Sequence, residues 1–140
     1  MIRTSMLRGV AVALLVLTVG GAACGGDKDK KASEPDRYEQ RVSAKDVATG
    51  LGQLESLTNQ VALGVSADAR AAKGQADGIE KIWQPIEGTI RANDKDSYIR
   101  FEDAFAALEK AADGADSAKA QAAAKDVSDA VKAYLAKFPG

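Results

Sequence analysis

The chain has 140 residues, 46% hydrophobic, 28% charged and 5% aromatic, which is the size of one small domain. It contains no histidine and one cysteine, which excludes a Ser-His-Asp triad, a Cys-His pair, His-held zinc or haem, an internal disulfide and a cysteine-bound iron-sulfur cluster. With 19 basic and 20 acidic residues it has no cationic excess to recognise nucleic acid, so the expectation is a protein that is not an enzyme and has no nucleic-acid partner.

The first stretch, MIRTSMLRGVAVALLVLTVGGAAC, carries Arg3 and Arg8 and then runs apolar from Gly9 to Ala23. This is the layout of a secretory signal peptide over residues 1–23. Fifteen apolar residues are too few to cross a hydrocarbon core, which takes about 20 in a helix. The run ends in Gly21, Ala22, Ala23 and Cys24 and is followed by Gly25 and Gly26. It resembles the lipobox of bacterial lipoproteins, although the position three before the cysteine, commonly leucine in that family, is Gly21. The resemblance implies that the Cys24 thiol receives a diacylglycerol group and becomes the mature N-terminus, anchored to the outer face of the cytoplasmic membrane. Two acyl chains anchor stably where one binds only marginally.

Cleavage before Cys24 leaves 17 of the 19 basic residues against 20 acidic ones, a net charge of −3. Residues 24–42 are dense in charge and turn formers, including Asp27 and Asp29, and poor in apolar side chains, so they read as a flexible tether. Lys28, Lys30 and Lys31 alternate with or follow acids, as in a solvated linker rather than a lipid-binding patch. Pro35 offers a start for an early helical turn carrying Tyr38.

From residue 43 to residue 140 apolar side chains recur at intervals of three and four, the signature of packed amphipathic helices. The first segment presents Val47, Leu51, Leu54, Thr58, Val61 and Val65. Ser43 and Asp46 open it as a capping pair and Gly64 closes it. Gly50 and Gly52 lie inside it, where a helix–helix contact accounts for them. The second presents Ala72, Ala76, Ile79, Trp83, Ile86 and Ile90, with Ser66 or Asp68 as cap. Pro85 lacks the N–H that would reach the Lys81 carbonyl and predicts a kink or break. The third presents Tyr98, Phe101, Phe105, Leu108 and Ala112 and ends at Gly114. The fourth presents Ala120, Ala124, Val127, Val131, Tyr134 and Phe138, capped by Asp116 or Ser117 and stopped by Pro139. Short links force neighbours antiparallel, so the expected fold is all-α, an antiparallel up-down-up-down four-helix bundle.

Two stretches echo each other: WQPIEGTI from Trp83 and YIRFEDAF from Tyr98 both read aromatic, two residues, apolar, Glu, two residues, apolar. An antiparallel turn centred near Asp94 and Lys95 sets Glu87 opposite Glu102, each beside the apolar stripe. Two such carboxylates suit a hard cation or a shared proton. The plainer alternative pairs Glu87 with Arg91 one turn on and leaves Glu102 solvated beside the aromatics. Asp94, Asp96 and Tyr98 begin like a calcium loop, but Phe105 stands where the bidentate glutamate belongs, and a helix cap accounts for them better.

The run from Ile82 to Tyr134, an aromatic followed by I-E, a short acidic turn, Y-x-x-x-E and an alanine-rich helix ending in an aromatic, resembles the extracytoplasmic helical domains that accompany bacterial iron permeases and EfeO-like iron-uptake lipoproteins. That resemblance implies capture or relay of iron by carboxylates at the membrane face, with Glu87, Tyr98 and Glu102 as the matching positions and Asp94 and Asp96 nearby. The histidine-containing motif of the imelysin-like relatives is absent. The sequence therefore points to a membrane-anchored accessory protein of metal uptake, with iron or another hard cation as ligand and a membrane permease as partner. The alternative is a structural or protein-interaction module of the cell envelope that holds no metal.

Overall fold

A computed structural model of the chain describes residues 38–140. The expected signal peptide, Cys24 and the expected tether up to residue 37 lie outside the described residues. What is described is all-helical. It comprises α1 (Ala44–Val65), α2 (Ala69–Ala76), α3 (Gly78–Asn93), α4 (Lys95–Asp113) and α5 (Ser117–Lys137). None of these helices is long and apolar enough to cross a membrane.

Side-chain caps set four of the five starts. The Ser43 hydroxyl accepts the Asp46 N–H at 3.1 Å, the cap that the sequence pattern called for, and donates to the Asp46 carboxylate at 2.6 Å. Asp68 accepts the Ala71 N–H, Asp94 the Asp96 and Ser97 N–H groups, and Asp116 the Lys119 N–H. Each occupies donors that a helix otherwise leaves open at its first turn. Tyr38 stands in a turn rather than in an early helix.

The expected second segment is interrupted, but not at Pro85. The break falls at Asp77, a single residue with helical dihedrals between α2 and α3, so the chain continues without reversing. α3 then runs through Pro85. Pro85 and Lys81 are both exposed, so the carbonyl deprived of its N–H faces the side where water can serve it. At the break the Gly78 backbone sits on α1, where an added Cβ would come 3.3 Å from Leu57.

The buried side is the stripe read from the periodicity. All of the apolar positions named above are buried except Tyr98 and Phe138, which pack half-buried against the core. α1 packs on α2, α3 and α5, and α4 packs on the same three. Ten of the 25 buried core residues among those described are alanine, so backbones approach closely and large side chains are few. Gly50 marks the tightest approach, since a Cβ there would lie 2.9 Å from the Ile86 side chain. Gly52 is exposed and meets nothing, so it makes no helix contact.

Helix α4 ends at Asp113, with Gly114 following it as the sequence pattern expects. Gly114 keeps helical dihedrals, and the left-handed position is taken by Ala115, at φ 51°. There the Asp116 N–H reaches back to the Ala111 carbonyl at 2.9 Å and closes the turn. An L-residue in this region loses about 1–2 kcal/mol, while glycine loses about 0.5–1 kcal/mol in chain entropy. Ala115→Gly is therefore expected to stabilise the fold by roughly 0.5–1 kcal/mol, read as a higher denaturant midpoint with unchanged slope.

Candidate functional site

The candidate residues gather along the seam between α3 and α4. Trp83 is its centre. Its ring is 5.3 Å from Phe101 and 5.2 Å from Phe105, centroid to centroid, and 5.9 Å from Tyr98 in a stacked arrangement. Phe101 carries the contact on to Tyr134 of α5. The indole is buried, and its N–H donates to Glu102 Oε1 at 2.6 Å. Glu102 is exposed beyond that bond, so the carboxylate joins the indole to solvent.

Glu87, one turn further along α3, is completely buried. Tyr98, stacked on Trp83, has a hydroxyl held well above the ordinary phenol range. Burial is the main cause, followed by the Glu102 charge, a hydrogen bond with Tyr38 and smaller effects that include the Glu87 charge. Both carboxylates thus act on one phenol. Of the two glutamates expected to face each other, Glu102 bonds the Trp83 indole and Glu87 is buried. Arg91, expected beside Glu87, lays its guanidinium over the Tyr38 ring at 4.4 Å and near the Tyr98 ring at 5.7 Å.

Asp94 and Asp96 are placed differently. Asp94 caps α4 through two backbone N–H groups and the Ser97 hydroxyl, and it accepts from Lys137 Nζ at 2.7 Å, tying the end of α5 to the start of α4. The Lys137 ammonium, first, and the Ser97 N–H draw its carboxyl down to about 2. This is the cap that the sequence alternative favoured. Asp96 is exposed in the first turn of α4 and lines an open surface groove with Ile99, Arg100 and Asp126.

Further along the seam Glu109 is held above its usual range by burial first and then by the charges of Glu80, Asp113, Asp77 and Glu102. Lys73 answers part of this charge by bridging to Asp113 at 2.7 Å. Among the described residues no group of three or more Asp, Glu or Cys side chains is disposed to hold a metal ion.

The periodicity gave no sign of two further contacts here. The Val42 N–H donates to Thr89 Oγ1 at 2.9 Å, and Asn93 Nδ2 donates to the Tyr134 hydroxyl at 2.9 Å. Each joins residues more than 40 apart, beyond the reach of any local pattern. Comparison with known protein families, with characterised proteins and with solved structures found no match.

The Lys137–Asp94 pair carries a pH dependence. A carboxyl whose folded value lies below its unfolded one contributes stability that is present above about 3.9 and lost as the pH falls through about 2. Lys137→Met removes the main cause of the shift. Denaturant midpoints measured from pH 5 to pH 2 are expected to fall less steeply in the variant than in the native protein, with the difference confined to that window.

Proposed function

We propose that the chain is a lipid-anchored, non-catalytic binding module on the outer face of the cytoplasmic membrane, serving a protein partner of the cell envelope. Its helical part is an antiparallel up-down-up-down four-helix bundle. The links favour this arrangement, since only residues 66–68, 94 and 114–116 separate the legs. Close approaches of Gly50 to Ile86, Leu57 to Gly78 and Gly64 to Ala72 run in opposite senses along the two partners, as antiparallel neighbours require.

One observation favours a protein partner over a metal: two of the carboxylates offered as ligands, Glu102 and Asp94, already accept hydrogen bonds within the fold. Glu102 accepts from Trp83, and Asp94 accepts from Lys137, Ser97 and the α4 backbone. The anchor reading rests on the sequence around Cys24. Cys24→Ser is expected to abolish incorporation of labelled fatty acid and to move the protein from the membrane fraction to the soluble one. A native protein that takes up no label overturns the lipid anchor.

A second reading, an accessory of iron uptake, is favoured by the action of both Glu87 and Glu102 on the Tyr98 hydroxyl. Its ligands are Glu87, Glu102 and Tyr98, its cation iron or another hard ion, and its partner a membrane permease. Calorimetry with ferric iron in a non-chelating buffer separates the two readings. The protein-partner reading expects no micromolar binding. Binding that is weakened at least tenfold in Glu87→Gln and Glu102→Gln establishes the iron reading instead.

A further inference from the structure

Residues 38–42 have the composition of a tether, yet the chain is held at both ends of this stretch. At Val42 the backbone N–H donates to Thr89 Oγ1 and the side chain packs against the core. At Tyr38 the ring lies under the Arg91 guanidinium, and its hydroxyl is hydrogen-bonded with Tyr98. Between them Glu39, Gln40 and Arg41 are exposed, and Arg41 Nη1 donates to the Tyr38 and Gln40 carbonyls, closing the turn on itself. No helical ladder runs through the segment.

These contacts differ in kind from those of the helices. They comprise one part-buried backbone donor to a side-chain hydroxyl, the edge of one half-buried valine, one cation–π contact and one phenol–phenol bond, all made to α3 and α4 rather than through a helical ladder. Such a segment opens with far less loss than a helix whose apolar face is in the core. The partners it would release are also specific. Thr89 and Arg91 follow Glu87 on α3 by two and four residues, and Tyr98 stacks on Trp83.

From this we infer that Tyr38–Val42 is a latch, a short strap that docks the membrane-proximal chain onto α3 and α4 and opens while the helices stay folded. Docked, it lies against one face of the exposed Arg91 and against the half-buried Tyr98, and starts the path to the anchor at Tyr38. Open, it frees that face of the cation and the Tyr98 hydroxyl beside the seam. It also moves the start of the path to Ser43, adding five residues, or about 15–18 Å of reach when extended. The latch therefore couples the distance between helical part and membrane to the exposure of the α3–α4 seam. The coupling, though not the latch itself, rests on the proposed lipid anchor at Cys24.

Native-state hydrogen exchange on the secreted Cys24→Ser protein tests the latch without the anchor. The Val42 amide is expected to be protected on the order of tenfold to hundredfold, by an opening that does not depend on denaturant, while the Leu54 amide exchanges only on global unfolding. Tyr38→Ala is expected to cut the Val42 protection several-fold and leave Leu54 unchanged. Val42 exchanging at the Leu54 rate, or with no protection, overturns the latch. So does a Tyr38→Ala effect that is equal at both amides.

The coupling is read on the lipidated protein bound to phosphatidylethanolamine–phosphatidylglycerol vesicles containing a dansyl lipid. Trp83, the single tryptophan, is the energy donor. Transfer is expected to fall in Tyr38→Ala, and equal transfer in both proteins overturns the coupling. If the native protein carries no acyl chain and stays off the vesicles, the anchor is lost and the coupling with it, while the exchange result still decides the latch.

Discussion

A buried indole needs an acceptor for its N–H, and the acceptor found by Trp83 organises much of this molecule. In a core where so many buried positions are alanine, the area that holds α3 against α4 comes from a few rings, and Trp83 is the largest of them. Its N–H would lose a hydrogen bond to water if it were simply covered. Glu102 supplies the replacement from the neighbouring helix while keeping its other side in solvent. The carboxylate therefore avoids the cost of full burial, and the indole is fixed in one orientation. That orientation in turn sets where Tyr98, Phe101 and Phe105 can stand.

The rings extend this order to the ends of the helices. Phe101 touches Tyr134, and Tyr134 touches Phe138 at the end of α5. Around the same place Asn93 donates to the Tyr134 hydroxyl, Lys137 reaches Asp94, and Val42 is bonded to Thr89. Four chain segments thus meet there: the entry to α1, the end of α3, the start of α4 and the end of α5. Surface ion pairs such as Lys137–Asp94 contribute little alone. Here the pair acts together with a cap and a side-chain hydrogen bond, so it adds register more than strength.

Much of this was legible in the sequence because the core of a helical protein is a periodic property. A stripe at intervals of three and four identifies its own buried side, and only Tyr98 and Phe138, at the margins, are half-exposed. Caps were legible for the same reason, since Ser43, Asp68, Asp94 and Asp116 act on the next three residues. The helix break was misjudged because a proline rule considers one lost hydrogen bond. It takes no account of whether the freed carbonyl faces water, as at Lys81, or of where the backbone must approach a neighbour, as at Gly78. The left-handed residue after α4, Ala115, had no sequence signal, because the closing hydrogen bonds decide its place and no glycine stands there.

The seam was legible in its residue types but not in its pairing. Glu87, Tyr98 and Glu102 were singled out as oxygen donors at matched positions, and they do lie along one seam. Which of them meets which depends on the stagger between α3 and α4, and that stagger is set by ring packing rather than by the length of the turn at Asp94. Packing Trp83 among Tyr98, Phe101 and Phe105 brings its N–H edge to Glu102, which leaves Glu87 one turn away and inside. Two glutamates with similar sequence surroundings therefore acquire different physical roles. Glu102 is a hydrogen-bond acceptor open to solvent. Glu87 is a fully covered carboxylate.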